Sequence, residues 1–345
     1  MIHIINSLGM GGAENFLKDV AIPTDTVITL LNHKQEVELS CPVIQLDLLG
    51  SPIASIIRLR KIVKRPYTDS QPIVAWLYLG MFATIFLVGL RSKLHWTVRT
   101  SNLGRGSKIH SWILVYALGL LSWLLPSSVI YCSKQALNWH RRKALWKRGV
   151  VVLNGVRSGL KERRPLYSEV PPRNPLKIVV IARLNDQKGQ RWLLDVLAST
   201  KQLLKDGYRL SFYGRNVPSL IREYGHLDNL EFYQGEDSFS ILPKYDVLLM
   251  PSLYGEGYPN IIAEALAAGV YVIASDTGSI DEFNLHRSQI FPPGNFVGLK
   301  ICLDALTSAA STSIDQLIQR QMACILRQHE RSRQVGIFRS HVSSD

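Results

Sequence analysis

Short apolar runs alternate with stretches of helical periodicity along the whole chain. IHIINS, VITLLN, VIQLDL, IVAWLY, LHWTVRT, VIYCS and VVVLNGV (150–156) are runs of strand length, most of them bounded by Gly, Pro, Asn or Ser. After residue 176 the pattern restarts with KIVVIARL, RLSFYGR, LEFYQG, VLLMPS and VYVIASD. Near-continuous apolar runs of this length predict strands buried on both faces of a sheet. Between them AENFLKDVA, GQRWLLDVLASTKQLLKDG and PNIIAEALAAG carry apolar residues at helical spacing, with Gly207 and Gly269 as stop signals. Strand and helix in alternation predict parallel strands joined by right-handed crossovers. The pattern therefore predicts an α/β protein of two Rossmann-like domains, with parallel sheets facing a central cleft. The expected divisions are 1–156, a charged and proline-rich linker at 157–176, a second domain at 177–310, and a helical tail at 311–345 with no assignable role.

Two runs call for a membrane test. IVAWLYLGMFATIFLVGL (73–90) has no charge over 18 positions, and SWILVYALGLLSWLLPSSVIY (111–131) is similar. Eighteen residues lie at the lower edge of a spanning helix. Each run also divides naturally into a buried strand and a buried helix, with Gly80 at the junction of the first and Pro126 breaking the second. In a doubly wound sheet such runs are core, and that reading is favoured.

The 345 residues are 46% apolar and 19% charged, as in a packed globular chain of two domains. Four scattered cysteines, Cys41, Cys132, Cys302 and Cys324, form no metal or disulfide pattern and are read as reduced thiols of a cytosolic protein. No basic segment precedes an apolar core at the start, so no signal peptide is expected. Charge is the asymmetric feature. Residues 1–156 hold 18 Lys and Arg against 7 Asp and Glu, while the remainder holds 22 against 20. A basic half can meet nucleic acid, an anionic membrane or a phosphorylated substrate. The clusters RLRKIVKR (58–65) and HRRKALWKR (140–148) lie in a Trp-rich half, a mixture suited to a lipid interface.

Three loops carry candidate chemistry. SLGMGGAEN (7–15) follows a strand and opens a helix, so Gly11 and Gly12 let a ligand approach the backbone. It is not a dinucleotide fingerprint, because Glu14 stands where the third glycine belongs. ARLNDQKGQ (182–190) places Arg183 and Lys188 past a strand, where two cations can compensate a diphosphate. PSLYGEGYPNIIAEALAAG (251–269) sets Glu256 on a glycine turn and Glu264 about one turn inside the helix that follows. The helix N-terminus attracts an anion, whereas two carboxylates would repel it unless they bind hydroxyls. A sugar nucleotide supplies both phosphates and hydroxyls. SDTGSIDEF (275–283) adds a further glycine turn with Glu282.

GMGGAE, ARLNDQKG, EGYPNIIAEALAAG and SDTGSIDE, in that order over roughly residues 1–300, resemble retaining glycosyltransferases of the GT-B fold, glycosyltransferase family 4. The resemblance implies that Arg183 and Lys188 hold the donor diphosphate and that Glu264 binds the ribose hydroxyls. It implies that Glu256 contacts the transferred sugar, with the backbone of Gly257, Tyr258, Pro259 and Asn260 near its hydroxyls and phosphate. Gly11 and Gly12 would line the cleft from the acceptor domain. Where the family often has a histidine near the sugar, LHWTVRTSN offers Arg99 or Thr100 as the sugar or acceptor contact. No protein nucleophile, metal or cofactor is implied, only a UDP- or GDP-linked sugar as substrate. The implied partner is a lipid-linked or oligosaccharide acceptor in capsule, exopolysaccharide or O-antigen assembly, at the inner face of the plasma membrane, with anionic lipid in peripheral contact and no nucleic acid. Two alternatives stay open: an epimerase or phosphorylase of the same fold, and a non-catalytic basic protein that binds nucleic acid or membrane.

Overall fold

The computed structural model describes residues 1–9, 11–64, 71–87, 93–103, 108–157, 160–169, 175–200 and 207–344. Several expectations fall partly outside these residues: Met10 of the glycine loop, Arg65 of the first basic cluster, 88–90 of the first apolar run, 158–159 and 170–174 of the linker, and 201–206 of the helix predicted to reach Gly207. The chain forms two units, Met1–Asn154 with Arg331–Asp345, and Gly155–Glu330.

The first unit runs β1 (Ile2–Ile5), α1 (Gly12–Val20), β2 (Thr26–Thr29), β3 (Val43–Gln45), α2 (Pro52–Val63), β4 (Ile73–Trp76), α3 (Leu77–Thr84), β5 (Leu94–Val98), α4 (Ile109–Leu121), β6 (Ser128–Tyr131), α5 (Lys134–Ala144) and β7 (Val150–Val151). Its parallel sheet has the order β3-β2-β1-β4-β5-β6-β7. The chain winds outward from β1 in one direction, then from β4 in the other, which is the Rossmann order with one strand added. The apolar runs form these strands because the sheet is covered on both faces.

Two expectations about the apolar runs need correction. Gly80 does not mark the junction of β4 and its helix. Leu77 makes that turn with φ +63°, and Gly80 lies inside α3, where a Cβ would stand 2.7 Å from the carbonyl oxygen of Ile4. The glycine serves the close approach of α3 to β1. Nor is the second run all core. Val115 and Leu118 of α4 are buried, but Ile109, Ile113, Tyr116 and Leu120 are exposed, as are Trp123 and Leu124 just beyond. Among the described residues no helix is long and apolar enough to cross a membrane.

The second unit runs β8 (Leu176–Ile181), α6 (Gln190–Thr200), β9 (Tyr208–Tyr213), α7 (Ile221–Tyr224), β10 (Leu230–Tyr233), α8 (Ser238–Ile241), β11 (Val247–Met250), α9 (Asn260–Ala267), β12 (Tyr271–Ser275), β13 (Ile290–Phe291), α10 (Phe296–Ser308) and α11 (Ser311–Gln328). The sheet order β10-β9-β8-β11-β12-β13 repeats the Rossmann pattern. The described part of the expected linker packs on this unit. Arg164 pairs with buried Asp246 at 2.8 Å, and its guanidinium covers the ring of Tyr167, whose hydroxyl donates to the Asp246 carbonyl.

The tail divides between the units. Ile314 and Ile318 of α11 join the core of the second unit. The following helix, α12 (Arg331–Ser344), belongs to the first. Its Phe338 stacks on Trp76, with ring centroids 5.4 Å apart, and meets Phe16 edge-on. Arg331 pairs with Asp19 and Arg339 with Asp25, at 2.8 and 2.7 Å.

Candidate active site

In the second unit the sheet order reverses between β8 and β11, the position where open α/β sheets bind ligands beyond the strand ends. The loops leaving these two strands carry the residues singled out in the sequence. After β8, Asn185 Oδ1 accepts from the Lys188 N–H at 3.0 Å and caps a short 3-10 turn, Asp186–Lys188. Gly189 follows with φ +69°, and a Cβ there would lie 2.0 Å from the Pro251 carbonyl oxygen. Only glycine lets the two loops come this close. They are tied by the Leu253 N–H donating to Gln187 O at 2.7 Å and by Gln187 Nε2 donating to Gly255 O at 3.0 Å.

That approach places Lys188 Nζ 2.7 Å from Glu256 Oε1. Ser252 Oγ donates to the same oxygen at 2.6 Å, and Ser275 Oγ donates to the Ser252 carbonyl at 2.5 Å. Glu256 is buried and forms a parallel bridge with Gly278. A Cβ on Gly278 would sit 2.2 Å from the Glu256 carbonyl oxygen, so the loop after β12 braces the glutamate from behind. Ser279, the next residue, donates its hydroxyl to the Gly257 carbonyl.

The helix α9 begins after Pro259, its N-cap, and ends with Gly269 at φ +74°. Tyr258 is turned into the core, its hydroxyl bonded to His329 Nδ1 at 2.8 Å and its ring against Phe283. It can therefore offer a ligand only its backbone. Glu264 is buried one turn into the helix and accepts from Ser238 Oγ. Arg157 Nε lies 3.4 Å from the other Glu264 oxygen. Arg157 also pairs with Asp237, donates to Ser238 Oγ at 2.9 Å and covers the Phe239 ring at 4.4 Å. Burial works against the Arg157 charge, but its hydrogen bond to Asp237 and the charge of Glu264 outweigh that and raise its pKa. Each glutamate thus has its own cation. Arg183 differs: it is exposed and forms no ion pair among the described residues.

The other candidates lie in the first unit. Gly11 is the N-cap of α1 in extended conformation (φ −128°, ψ 170°), and Gly12 is the first residue of that helix. Arg99, just past β5, is buried. Its Nε donates to Thr97 Oγ1 at 2.8 Å, its Nη1 donates to Val152 O and Asn154 Oδ1, and its guanidinium faces Phe16, Trp76 and Phe338. Burial lowers its pKa to about 10. Arg99 is thus built into the packing of the first unit, whereas Thr100 is half-buried and its hydroxyl lies 3.4 Å from the Tyr78 hydroxyl.

Arg157, Asp237, Ser238 and Ser252 were not singled out in the sequence. Ser252 was findable, since it closes the predicted run VLLMPS, two residues past the end of β11. Arg157 has no local signal, because its partners lie 80 to 107 residues away.

Residues 175–306 match a family model described as glycosyl transferases group 1. A curated relative, named as the colanic acid biosynthesis glycosyltransferase WcaL of Escherichia coli (strain K12), is 32% identical over 126 residues, which is 32% of this chain and 30% of that protein. The match thus spans less than a third of that relative's length. The crystal structure of Anabaena HepE in complex with UDP and glucose is similar at TM-score 0.80 and 17% identity, covering 100% of this chain and 99% of that one. Sucrose-phosphate synthase from Thermosynechococcus elongatus reaches 0.78 at 15% identity, covering 100% and 99%. A glycosyltransferase from Rickettsia africae reaches 0.71 at 14% identity, covering 99% and 97%. The fold is therefore that of GT-B glycosyltransferases, two Rossmann-like domains with parallel sheets.

Proposed function

We propose that this chain is a retaining hexosyltransferase of family 4 type. It would move a sugar from a UDP- or GDP-linked donor to a lipid-linked or oligosaccharide acceptor in surface polysaccharide biosynthesis, at the inner face of the plasma membrane. The observation that carries the reading is the meeting of Lys188 and Glu256 at 2.7 Å across the β8/β11 switch point. In this arrangement the lysine compensates the charge of the glutamate. A donor diphosphate would draw Lys188 and Arg183 to itself, leaving Glu256 to accept from sugar hydroxyls. Glu264 would accept from the ribose hydroxyls, its present donors being Ser238 and Arg157.

In the transfer step the bond from the anomeric carbon to the donor's diphosphate breaks as the acceptor oxygen bonds to that carbon on the same face. The acceptor proton passes to the leaving phosphate oxygen. Lys188 and Arg183 stabilise the charge that develops there, the type of term worth about 3 kcal/mol per donor in comparable sites. The complexes of HepE with UDP and with UDP-glucose favour UDP as the carrier.

The test is transfer from a panel of nucleotide sugars to membrane lipid extracts by wild type, Lys188→Met and Arg183→Met. Lys188→Met is expected to lower kcat about 100-fold or more. Arg183→Met is expected to weaken the donor KM. Undiminished transfer by Lys188→Met would contradict the assignment, and conversion of the donor sugar without any acceptor would support an epimerase instead.

A further inference from the structure

Six of the exposed apolar residues of the first unit lie together on α4 and the turn after it. Ile109, Ile113, Tyr116 and Leu120 follow one another at helical spacing along α4, and Trp123 and Leu124 continue the line in the next turn. All six are between 42% and 80% exposed. Spacing of i, i+4, i+7 and i+11 makes a single stripe on one side of a helix. The opposite side is occupied. Val115 and Leu118 are buried, and Gly119 lies so close to α5 that a Cβ would stand 2.0 Å from the Ala144 carbonyl oxygen. Trp123 is held in place, since its Nε1 donates to the Leu145 carbonyl at 2.9 Å while most of its ring stays in solvent. No residue of α4 is charged as Asp, Glu, Lys or Arg.

The surroundings are uniformly basic. Between Asp69 and Glu162 the chain holds thirteen Lys and Arg and no carboxylate side chain. Lys108 caps the start of α4, and the last turn of α5, which packs against it, exposes Arg141, Arg142 and Lys143. Topology adds a second basic element. From β3 onward every crossover moves the same way across the sheet, so right-handed connections put α2, α3, α4 and α5 on one face. Exposed Arg58 and Lys61 of α2, and Lys64 directly after it, share that face.

We propose that α4 and the turn after it lie flat in the headgroup region of an anionic bilayer, with the basic ends of α2 and α5 against the lipid phosphates. An apolar stripe bordered by cations, with tryptophan at its edge, fits an interface of this kind. The thirteen residues of α4 are about 20 Å long, short of the roughly 30 Å hydrocarbon core, so the helix lies on the membrane. A second copy of the chain fits the face poorly, because it would bring one cationic rim against another. Nucleic acid would leave the apolar stripe unused. The inference deepens the membrane part of the proposed function, and it rests on residues that take no part in donor binding.

The test is co-sedimentation of the full chain with phosphatidylcholine vesicles, with and without phosphatidylglycerol. Wild type, Ile113→Asp/Leu120→Asp and Arg141→Glu/Arg142→Glu are compared, with UDP binding measured on each preparation. Wild type is expected to partition to the anionic vesicles about tenfold or more over the neutral ones. Both double variants are expected to lose that partition while UDP binding is kept. Equal sedimentation of wild type and both variants would overturn the proposal. So would a dimer by light scattering that Ile113→Asp/Leu120→Asp abolishes without lipid, which would make the occupant a second copy. A measurement on wild type alone guards against misfolded variants: quenching of tryptophan fluorescence by brominated lipid is expected, and its absence counts against the proposal. Loss of UDP binding in wild type would sink the donor reading and leave this one standing.

Discussion

Glu256 and Glu264 stand eight residues apart, and the fold gives each a separate cation. Lys188 comes from the loop after β8, and Arg157 from the start of the second unit. The two carboxylates are therefore buried as compensated pairs rather than as isolated charges. A different kind of burial operates at His140 in the first unit. Its Nδ1 is 2.7 Å from the Ala136 carbonyl, and its Nε2 is 2.7 Å from the Tyr78 hydroxyl. Burial lowers its pKa to about 4 from an ordinary 6.5, and burial also raises that of Tyr78, whose hydroxyl keeps its proton to donate. A neutral ring satisfies both contacts: Nδ1–H donates and Nε2 accepts. Between pH 6.5 and about 4 the unfolded chain binds a proton at this site that the folded chain does not. Stability is therefore lost as pH falls through that window, by about 3 kcal/mol at most from this group. Urea denaturation at pH 7 and pH 4.5 is expected to show a smaller difference for His140→Gln than for wild type. An unchanged difference would assign the pH dependence to other groups, such as His3, whose pKa burial also lowers.

At the scale of elements, the strands were the most legible part of the chain, because strands buried on both faces are near-continuous apolar runs. Twelve of them follow the predicted runs. β13 did not announce itself, since two residues give no period. The loops bearing Lys188 and Glu256 were legible from their glycines, which mark where the backbone must turn or pass close. Less legible was anything fixed by contact across the fold: the Arg157 pairing, the burial of Arg99, the free face of α4. Periodicity says which side of a helix is apolar, not whether another element covers it. The tail was opaque for the same reason. α12 is an ordinary polar sequence whose Phe338 happens to complete an aromatic cluster with Phe16 and Trp76 more than 250 residues upstream. Phe338→Ala is expected to cost about 3 to 5 kcal/mol, read as a lower urea midpoint. A cost below about 1 kcal/mol would show that α12 is not part of the first unit's core.

At the scale of the whole molecule, two sheets that share a six-strand Rossmann order, the first with one strand added, carry different surfaces. The first unit presents an excess of cations and an uncovered apolar stripe. The second presents paired charges around a switch point. Composition alone showed the charge asymmetry, and the topology gives it a location. The central claim is that the second unit holds a nucleotide sugar through Glu264, and titration calorimetry with UDP and GDP tests it most directly. Glu264→Ala removes the carboxylate while Arg157 keeps Asp237 as its partner, so the local fold has reason to survive the change. The account predicts micromolar binding of one nucleotide by wild type, weakened about tenfold or more in the variant, or roughly 1.4 kcal/mol. Equal affinity in the two proteins, or no binding of either nucleotide to wild type, would contradict it.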